Sequence, residues 1–319
     1  MTPIPVILDC DPGHDDAFAL LLAAAHPAVD LLAITTVAGN APVGKTALNA
    51  RRVCTVAGIG GVPVAAGLAR PLHGAGITAP EIHGASGLDG PGFGEPAVPL
   101  DPRDAITLIR ETLLGHPGPV TLVPTGPLSN IAAFLLAHPE LAAERVDRIV
   151  LMGGSTGRGN RTPAAEFNIA ADPEAADIVF SSGLDVTMIG LNVSHQVPAS
   201  AEVLTRLRAL GTPLAEVCAD LLTFYGAAYR EVFGLAAPPL HDPLTVAHLV
   251  APGLVSTVPA AVAVELTGTH TRGATVVDLD GVTGRPANAR VGTGVDAAAF
   301  WDLIVDAVRT LGARGPLTG

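Results

Sequence analysis

A chain of 319 residues is long enough to bury the core of one large α/β domain. Its formal charge of −12, with only 18 Lys plus Arg, argues against a nucleic-acid surface, and its 3% aromatic content leaves the core to aliphatic side chains. No apolar run approaches the ~18 residues of a membrane span, no leader pattern opens the chain, and Cys10, Cys54 and Cys218 are odd in number and in apolar contexts. A cytoplasmic protein with reduced core thiols, without a membrane segment, disulfide or zinc site, is therefore expected.

In chain order, short aliphatic runs predict strands at 6–8, 32–37, 64–66, 120–123, 149–152 and 186–189. Helical patterns cover 16–25, 43–57, 102–114, 128–137 and 173–181. This alternation predicts an α/β fold with a mostly parallel central sheet flanked by helices. Such sheets bind ligands outside the carboxyl ends of their strands, where 9–16, 37–40, 125–127 and 152–168 gather. Residues 67–100, with eight Gly before Glu95, form a long aperiodic segment of the kind that is functional or disordered. A helix is predicted at 212–232, strands at 260–266 and 274–279, and a last helix at 296–311. With no repeat or linker, one domain covering 1–319 is expected.

Chemistry is densest where the first strand ends, at Asp9-Cys-Asp11-Pro-Gly-His14-Asp15-Asp16. Four carboxylates within eight residues repel one another, and the nearest Lys or Arg in sequence is Lys45. A bound hard cation, Ca²⁺ or Mg²⁺, compensates such a cluster. Helix capping accounts for one Asp, or two. Asp-Pro pairs occur at 11, 101, 172 and 242. Those at Asp101 and Asp172 read as ordinary helix starts with Pro in the first turn. Asp242 differs because His241 precedes it. Each of His14, His83 and His241 also fits a hydrogen-bonded structural histidine. Asn160, Glu166 and Asn168 follow a strand end and suit either a polar pocket or loop hydrogen bonds. Gly39, Gly153 and Gly154 suggest close backbone approaches. The spacing of Phe224, Tyr225, Tyr229 and Phe233 fits core packing, while their nearness in sequence to His241 points to a pocket wall. No GxGxxG or P-loop stands in the right context for a dinucleotide or ATP site.

The Asp9–Asp16 segment resembles the N-terminal signature of the inosine–uridine-preferring nucleoside hydrolases. Val37-Ala-Gly-Asn40, His83-Gly, Pro124-Thr125-Gly-Pro-Leu-Ser-Asn130, Leu151-Met152-Gly-Gly, Asn160, Glu166-Phe-Asn168 and His241-Asp242-Pro follow in the family's order and at similar spacing. The resemblance runs from about residue 6 to 278 and implies an open, Rossmann-like nucleoside hydrolase fold. It implies a Ca²⁺ held by Asp11, Asp16, the Thr125 carbonyl and Asp242, together with the ribose hydroxyls. Asp15, Asn40, Asn160, Glu166 and Asn168 would hydrogen-bond the ribose, and Met152 would lie against the sugar. Asp11 would act as the base on the attacking water. The nucleobase would leave toward His241, His83, Tyr225 and Tyr229. The implied partner is a small ribonucleoside and the implied assembly a homodimer or homotetramer.

The chain departs from familiar members at His14, often apolar, at Ala85, often acidic, and along 235–240, which would shape the base side. Two histidines at loop positions, and a single Trp near the C-terminus, suggest a pyrimidine or inosine–uridine preference. A haloacid-dehalogenase-type phosphatase also begins with a strand and Asp-x-Asp, but wants Thr or Val two places beyond the second Asp, where this chain has Gly13. The other alternative is a catalytically silent nucleoside-binding protein on the same fold.

Overall fold

Alternate residues of the first strand, β1 (Ile4–Cys10), point to opposite faces of one sheet. Val6, Leu8 and Cys10 enter one apolar cluster, and Ile7 enters another. The computed structural model describes residues 2–318. After β1 come β2 (Val29–Thr36), β3 (Val64–Ala66), β4 (Val120–Pro124), β5 (Val146–Met152), β6 (Val186–Ile189), β7 (Val255–Val264), β8 (Thr275–Asp278) and β9 (Ala289–Val295). They form one sheet in the order β3-β2-β1-β4-β5-β6-β9-β7-β8. The strands from β1 to β6 and β9 are parallel, and β7 runs antiparallel to both β9 and β8. The expected α/β class with a mostly parallel sheet is what the chain adopts.

Helices cover both faces. His14–Ala25, Val43–Val56, Pro213–Phe233, Pro243–Val250 and Ala297–Gly312 bury their apolar stripes in the first cluster, and Ala105–Gly115, Ser129–Ala137 and Pro173–Phe180 in the second. The three thiols are free and buried, and burial pushes Cys54 up to about 12. Among the described residues no helix is long and apolar enough to cross a membrane. The chain leaves β1 on one side for β2 and β3, and returns on the other side as β4. The crevice between the carboxyl ends of β1 and β4 is therefore the topological switch point, where parallel sheets take their ligands.

Two expectations need correction. β9 reads Ala-Arg-Val-Gly-Thr-Gly-Val and carries no strand signal in the sequence. Gly292 and Gly294 strip side chains from alternate positions, which erases the period-2 signal. The glycine at 292 has a packing reason: a Cβ there would lie 2.9 Å from Val193 Cγ2. The helix expected to start at Pro102 starts at Ala105, because Asp104 and not Asp101 caps it by accepting from Thr107 N. Asp101 instead binds Arg103 Nη2 at 2.7 Å. The segment 67–100 is irregular apart from the short helix Pro80–His83.

Asp172 caps Pro173–Phe180 as expected, accepting from Ala175 N at 3.1 Å. Its other oxygen accepts from Ser129 Oγ at 2.5 Å and from Leu72 N at 2.8 Å, so one fully buried carboxylate joins three segments. Asp172→Ala is expected to lower stability by about 2–4 kcal/mol, through a lost cap and two stranded donors. Urea unfolding checks this: the midpoint should fall with little change in slope. An unchanged midpoint would show that these contacts contribute nothing net.

Candidate functional site

A cavity of about 270 Å³ opens at this switch point. Asp15, Asn40, His83, Thr125, Met152, Asn160, Glu166, Asn168, Tyr225, Tyr229, His241 and Asp242 line it. Every side chain expected to touch a substrate is thus in its wall. Asp11 and Asp16 lie beneath, 1% and 0% exposed.

The floor is built by the β1 carboxyl end and the N-terminus of helix His14–Ala25. Gly13 and Asp16 form a capping arrangement there, with Gly13 N donating to Asp16 Oδ2 at 3.0 Å. Asp16 Oδ1 accepts from Thr125 Oγ1 at 2.8 Å, which ties the floor to the end of β4. Capping and clustering are thus both true of Asp16. Asp11 is clamped: its Oδ2 accepts from Asn40 N at 2.6 Å, while Gly39 and Gly126 leave no room for a Cβ beside its oxygens. The close approach expected at Gly39 is explained by that carboxylate. Asp9 belongs to a different layer. Its Oδ1 accepts from Thr35 Oγ1 at 2.6 Å and Asn130 Nδ2 at 2.7 Å, so it braces β1 against β2 and helix Ser129–Ala137 rather than joining the cavity.

Oxygens of Asp15, Asp16 and Asp242 all lie within 4.8 Å of one another. None of the ion pairs among the described residues reaches them. Burial, and then the neighbouring Asp16, push Asp11 well above the usual carboxylate range and Asp15 up to about 7. Burial, and then the facing aspartates, do the same to Asp242. Asp11 Oδ1 is buried with no hydrogen-bond partner. An all-oxygen donor set with an orphaned carboxylate oxygen fits a hard divalent cation. The Thr125 carbonyl accepts from Asn168 Nδ2 at 2.8 Å and keeps a second lone pair.

Glu166 and Asn168 serve both readings offered by the sequence. Glu166 caps helix Phe167–Ala171, with Oε1 accepting from Asn168 N and Oε2 from Gly154 N and Ile169 N, at 2.9 to 3.1 Å. Burial nevertheless raises it to about 7 against those donors. Gly154 takes a left-handed φ of +72°, which turns its N–H onto that carboxylate. Asn160 Oδ1 accepts from Phe167 N at 2.8 Å, so its amide nitrogen is the part left for a ligand.

At the other end the wall is aromatic and neutral. Tyr229 Oη lies 2.8 Å from His241 Nε2 and 3.3 Å from Tyr225 Oη. The tyrosines therefore form a pocket wall, although they are nearly fully buried. His83 Nδ1 lies 3.0 Å from His14 Nδ1, and His14 Nε2 lies 2.8 Å from the Asp89 carbonyl. His14, stacked on Tyr225 with ring centroids 5.2 Å apart, thus supports the wall from behind. Burial lowers His14 to about 4 and His241 to about 3. Leu235, from the segment expected to shape the base side, lines an adjoining cavity instead.

The sequence reading missed Arg161, which also lines the cavity and pairs with Glu81 at 3.0 Å across its mouth. It also missed Ser194, whose Oγ lies 2.7 Å from His241 Nδ1. Neither has a local signal, since each depends on a contact between distant segments.

A family model described as inosine-uridine preferring nucleoside hydrolase matches residues 6–302. The pyrimidine-specific ribonucleoside hydrolase RihA of Shewanella sp. (strain ANA-3) is 48% identical over 305 residues, covering 95% of this chain and 96% of its own. The protein of that name from Photobacterium profundum is 48% identical over 303 residues, with 95% and 97% covered. Among solved structures, a purine-preferring ribonucleoside hydrolase from Gardnerella vaginalis superposes with a TM-score of 0.90 at 33% identity, covering 98% of this chain and 100% of its own. The plant nucleoside hydrolase PpNRh1 follows at 0.87 and 32%, with 96% and 99% covered.

The buried carboxyls set a pH test. Asp15 and Glu166 have folded values of about 7, against ~4 for an unfolded carboxyl. The folded chain therefore holds protons that the unfolded chain has released. Stability from this source is present below pH ~4 and is lost as pH rises through ~7. His14 and His241, lowered by burial, are neutral when folded and lose their last unfolded-state protons by pH ~7.5, so they oppose this fall below that pH and add no slope above it. With Asp11 and Asp242 also raised well above the usual carboxylate range, the melting temperature in chelating buffer is expected to fall as pH rises from ~7.5 to ~8.5, and a divalent cation should flatten that fall. Melts that depend on neither pH nor chelator would count against a charge-compensated floor.

Proposed function

The chain belongs to the inosine-uridine preferring nucleoside hydrolase family, and on that premise we propose that this ribonucleoside hydrolase prefers pyrimidine bases and works with a bound Ca²⁺. The reaction cleaves an N-glycosidic bond and releases ribose and free base. The observation that carries the finer reading is the polarity of the cavity, with carboxylates at the floor and neutral hydrogen-bonding rings at the far end.

Asp11, Asp16, Asp242 and the Thr125 carbonyl would hold the ion, with Asp15 beside them. When bound, it supplies Lewis acidity and an anchor for ribose hydroxyls. Asn40 occupies one oxygen of Asp11 and leaves the other free to take a proton from the attacking water. Asp15, Asn160 and Asn168 hold the ribose hydroxyls, and Met152 packs against the ring. The Glu166 carboxylate already holds three main-chain N–H groups, so it contributes negative charge more than a free acceptor. That charge stabilises the cationic sugar formed as the bond breaks.

The base leaves toward His241, Tyr229, Tyr225 and His83, which offer hydrogen bonds to its carbonyl and ring nitrogen atoms. Trp301 cannot sandwich a purine: it sits on helix Ala297–Gly312, is 5% exposed and packs edge-on against Phe300 within the core. The pyrimidine-specific names of the relatives point the same way. The family also suggests a cytoplasmic homodimer or homotetramer, which light scattering on the purified protein would test for assembly.

A substrate panel tests this reading. Uridine and cytidine are expected to exceed adenosine and guanosine in kcat/KM. Because the ribose hydroxyls meet buried polar partners, 2′-deoxyuridine is expected to be ~10⁴-fold poorer than uridine. Equal rates on uridine and its deoxy analogue would defeat the ribose assignment. His241→Ala is expected to slow uridine ~10²- to 10⁴-fold. It should spare 4-nitrophenyl riboside, whose leaving group is already a stable anion. Equal losses on both substrates would remove His241 from the leaving-group side.

A further inference from the structure

Ser194 ends the short helix Leu191–Ser194 that follows β6, and its side chain is fully buried. Among the described residues its hydroxyl has a single hydrogen-bond contact, His241 Nδ1 at 2.7 Å. A buried hydroxyl that fails to donate is costly, and this nitrogen is the acceptor in reach. The Ser194 proton therefore points at Nδ1. A ring nitrogen that accepts carries no proton, so the neutral imidazole holds its own on Nε2. Nε2 faces Tyr229 Oη at 2.8 Å, and the tyrosine oxygen must accept from it. Tyr225 Oη donates to that same oxygen at 3.3 Å, which leaves the Tyr229 proton free for an atom of the base in the cavity.

We propose that Ser194 is a positioning residue that fixes His241 as the Nε2–H tautomer, so that donors run from Ser194 through His241 to Tyr229 and end at the departing base. This rests on the assignment of His241 and Tyr229 to the leaving-base side. A pyrimidine that gives up its bond to ribose keeps the electron pair and spreads it over its ring nitrogen and carbonyl oxygens. Donors aimed at those atoms stabilise the charge as it forms. The opposite tautomer would draw the Tyr229 proton back onto His241 and present lone pairs to an electron-rich base. The proposal requires hydrogen-bond donation alone: no bond to hydrogen breaks, and no proton leaves Ser194.

The experiment combines NMR of the whole enzyme carrying ¹⁵N-labelled histidine with steady-state kinetics of Ser194→Ala, which deletes one oxygen and leaves the packing in place. In the parent enzyme, His241 should show an unprotonated Nδ1 and a protonated Nε2. In Ser194→Ala, Nδ1 should become partly protonated. The variant's kcat on uridine should fall about 10- to 100-fold, the usual scale for losing a group that orients a functional histidine. Its KM should change little, and 4-nitrophenyl riboside turnover should stay within about threefold. A protonated Nδ1 in the parent enzyme overturns the proposal. So does an unchanged kcat on uridine, or an equal loss on both substrates. The His241→Ala comparison is read separately: failure there removes the leaving-group assignment, whatever tautomer the spectra report.

Discussion

Asp11, Asp15, Asp16 and Asp242 are each no more than 5% exposed, and no lysine or arginine among the described residues pairs with them. Two unit charges ~4 Å apart repel by about 4 kcal/mol at an effective dielectric constant of ~20. Much of the local architecture answers this repulsion. Main-chain N–H groups of Gly13 and Asn40 point at the carboxylates, and the positive end of helix His14–Ala25 rises directly from them. Gly39 and Gly126 let the backbone close in on Asp11. The strand order supplies the crevice in which these segments can meet.

The far end of the cavity follows the opposite rule. Burial holds His14, His83 and His241 below the ordinary histidine range, so this wall is made of neutral rings. Neutral rings cannot balance the aspartates, but they can be ordered as hydrogen-bond donors and acceptors with fixed direction. The cavity thus sets carboxylates at one end and N–H and O–H groups at the other. The tight link of Tyr229 to His241 keeps these two environments distinct within one small cavity.

Much of this was legible in the residues. The aspartate cluster, the strand-helix alternation and the gathering of loops at one sheet edge follow from local patterns, and those patterns hold in the structure. Asp9 shows where local reading stops. It looks like part of the cluster, but an odd position in a strand points its side chain into the sheet layer, toward Thr35 and Asn130. β9 was invisible because its glycines trade the alternating pattern for close packing against Val193. Asp101-Pro looked like the helix start, yet the chain turns helical three residues later with Asp104 as the cap, and only its path decided this. Ser194 and Arg161 matter through partners far away in sequence, which spacing cannot reveal.

The carboxylate trio joins the first helix of the chain to the residue that opens helix Pro243–Val250, so its members come from segments far apart in the polypeptide. Contacts of such long separation form only after the intervening loop-closure entropy has been overcome. On an emerging nascent chain, Asp15 and Asp16 are hydrated charges with no Asp242 to oppose them. The full repulsion appears only when the last third of the molecule docks. An ion that recognises all three groups therefore recognises a finished molecule and has little purchase on partly folded ones. The effect of such an ion would fall on the rate of unfolding rather than the rate of folding, so filling the floor would govern how long a completed molecule persists.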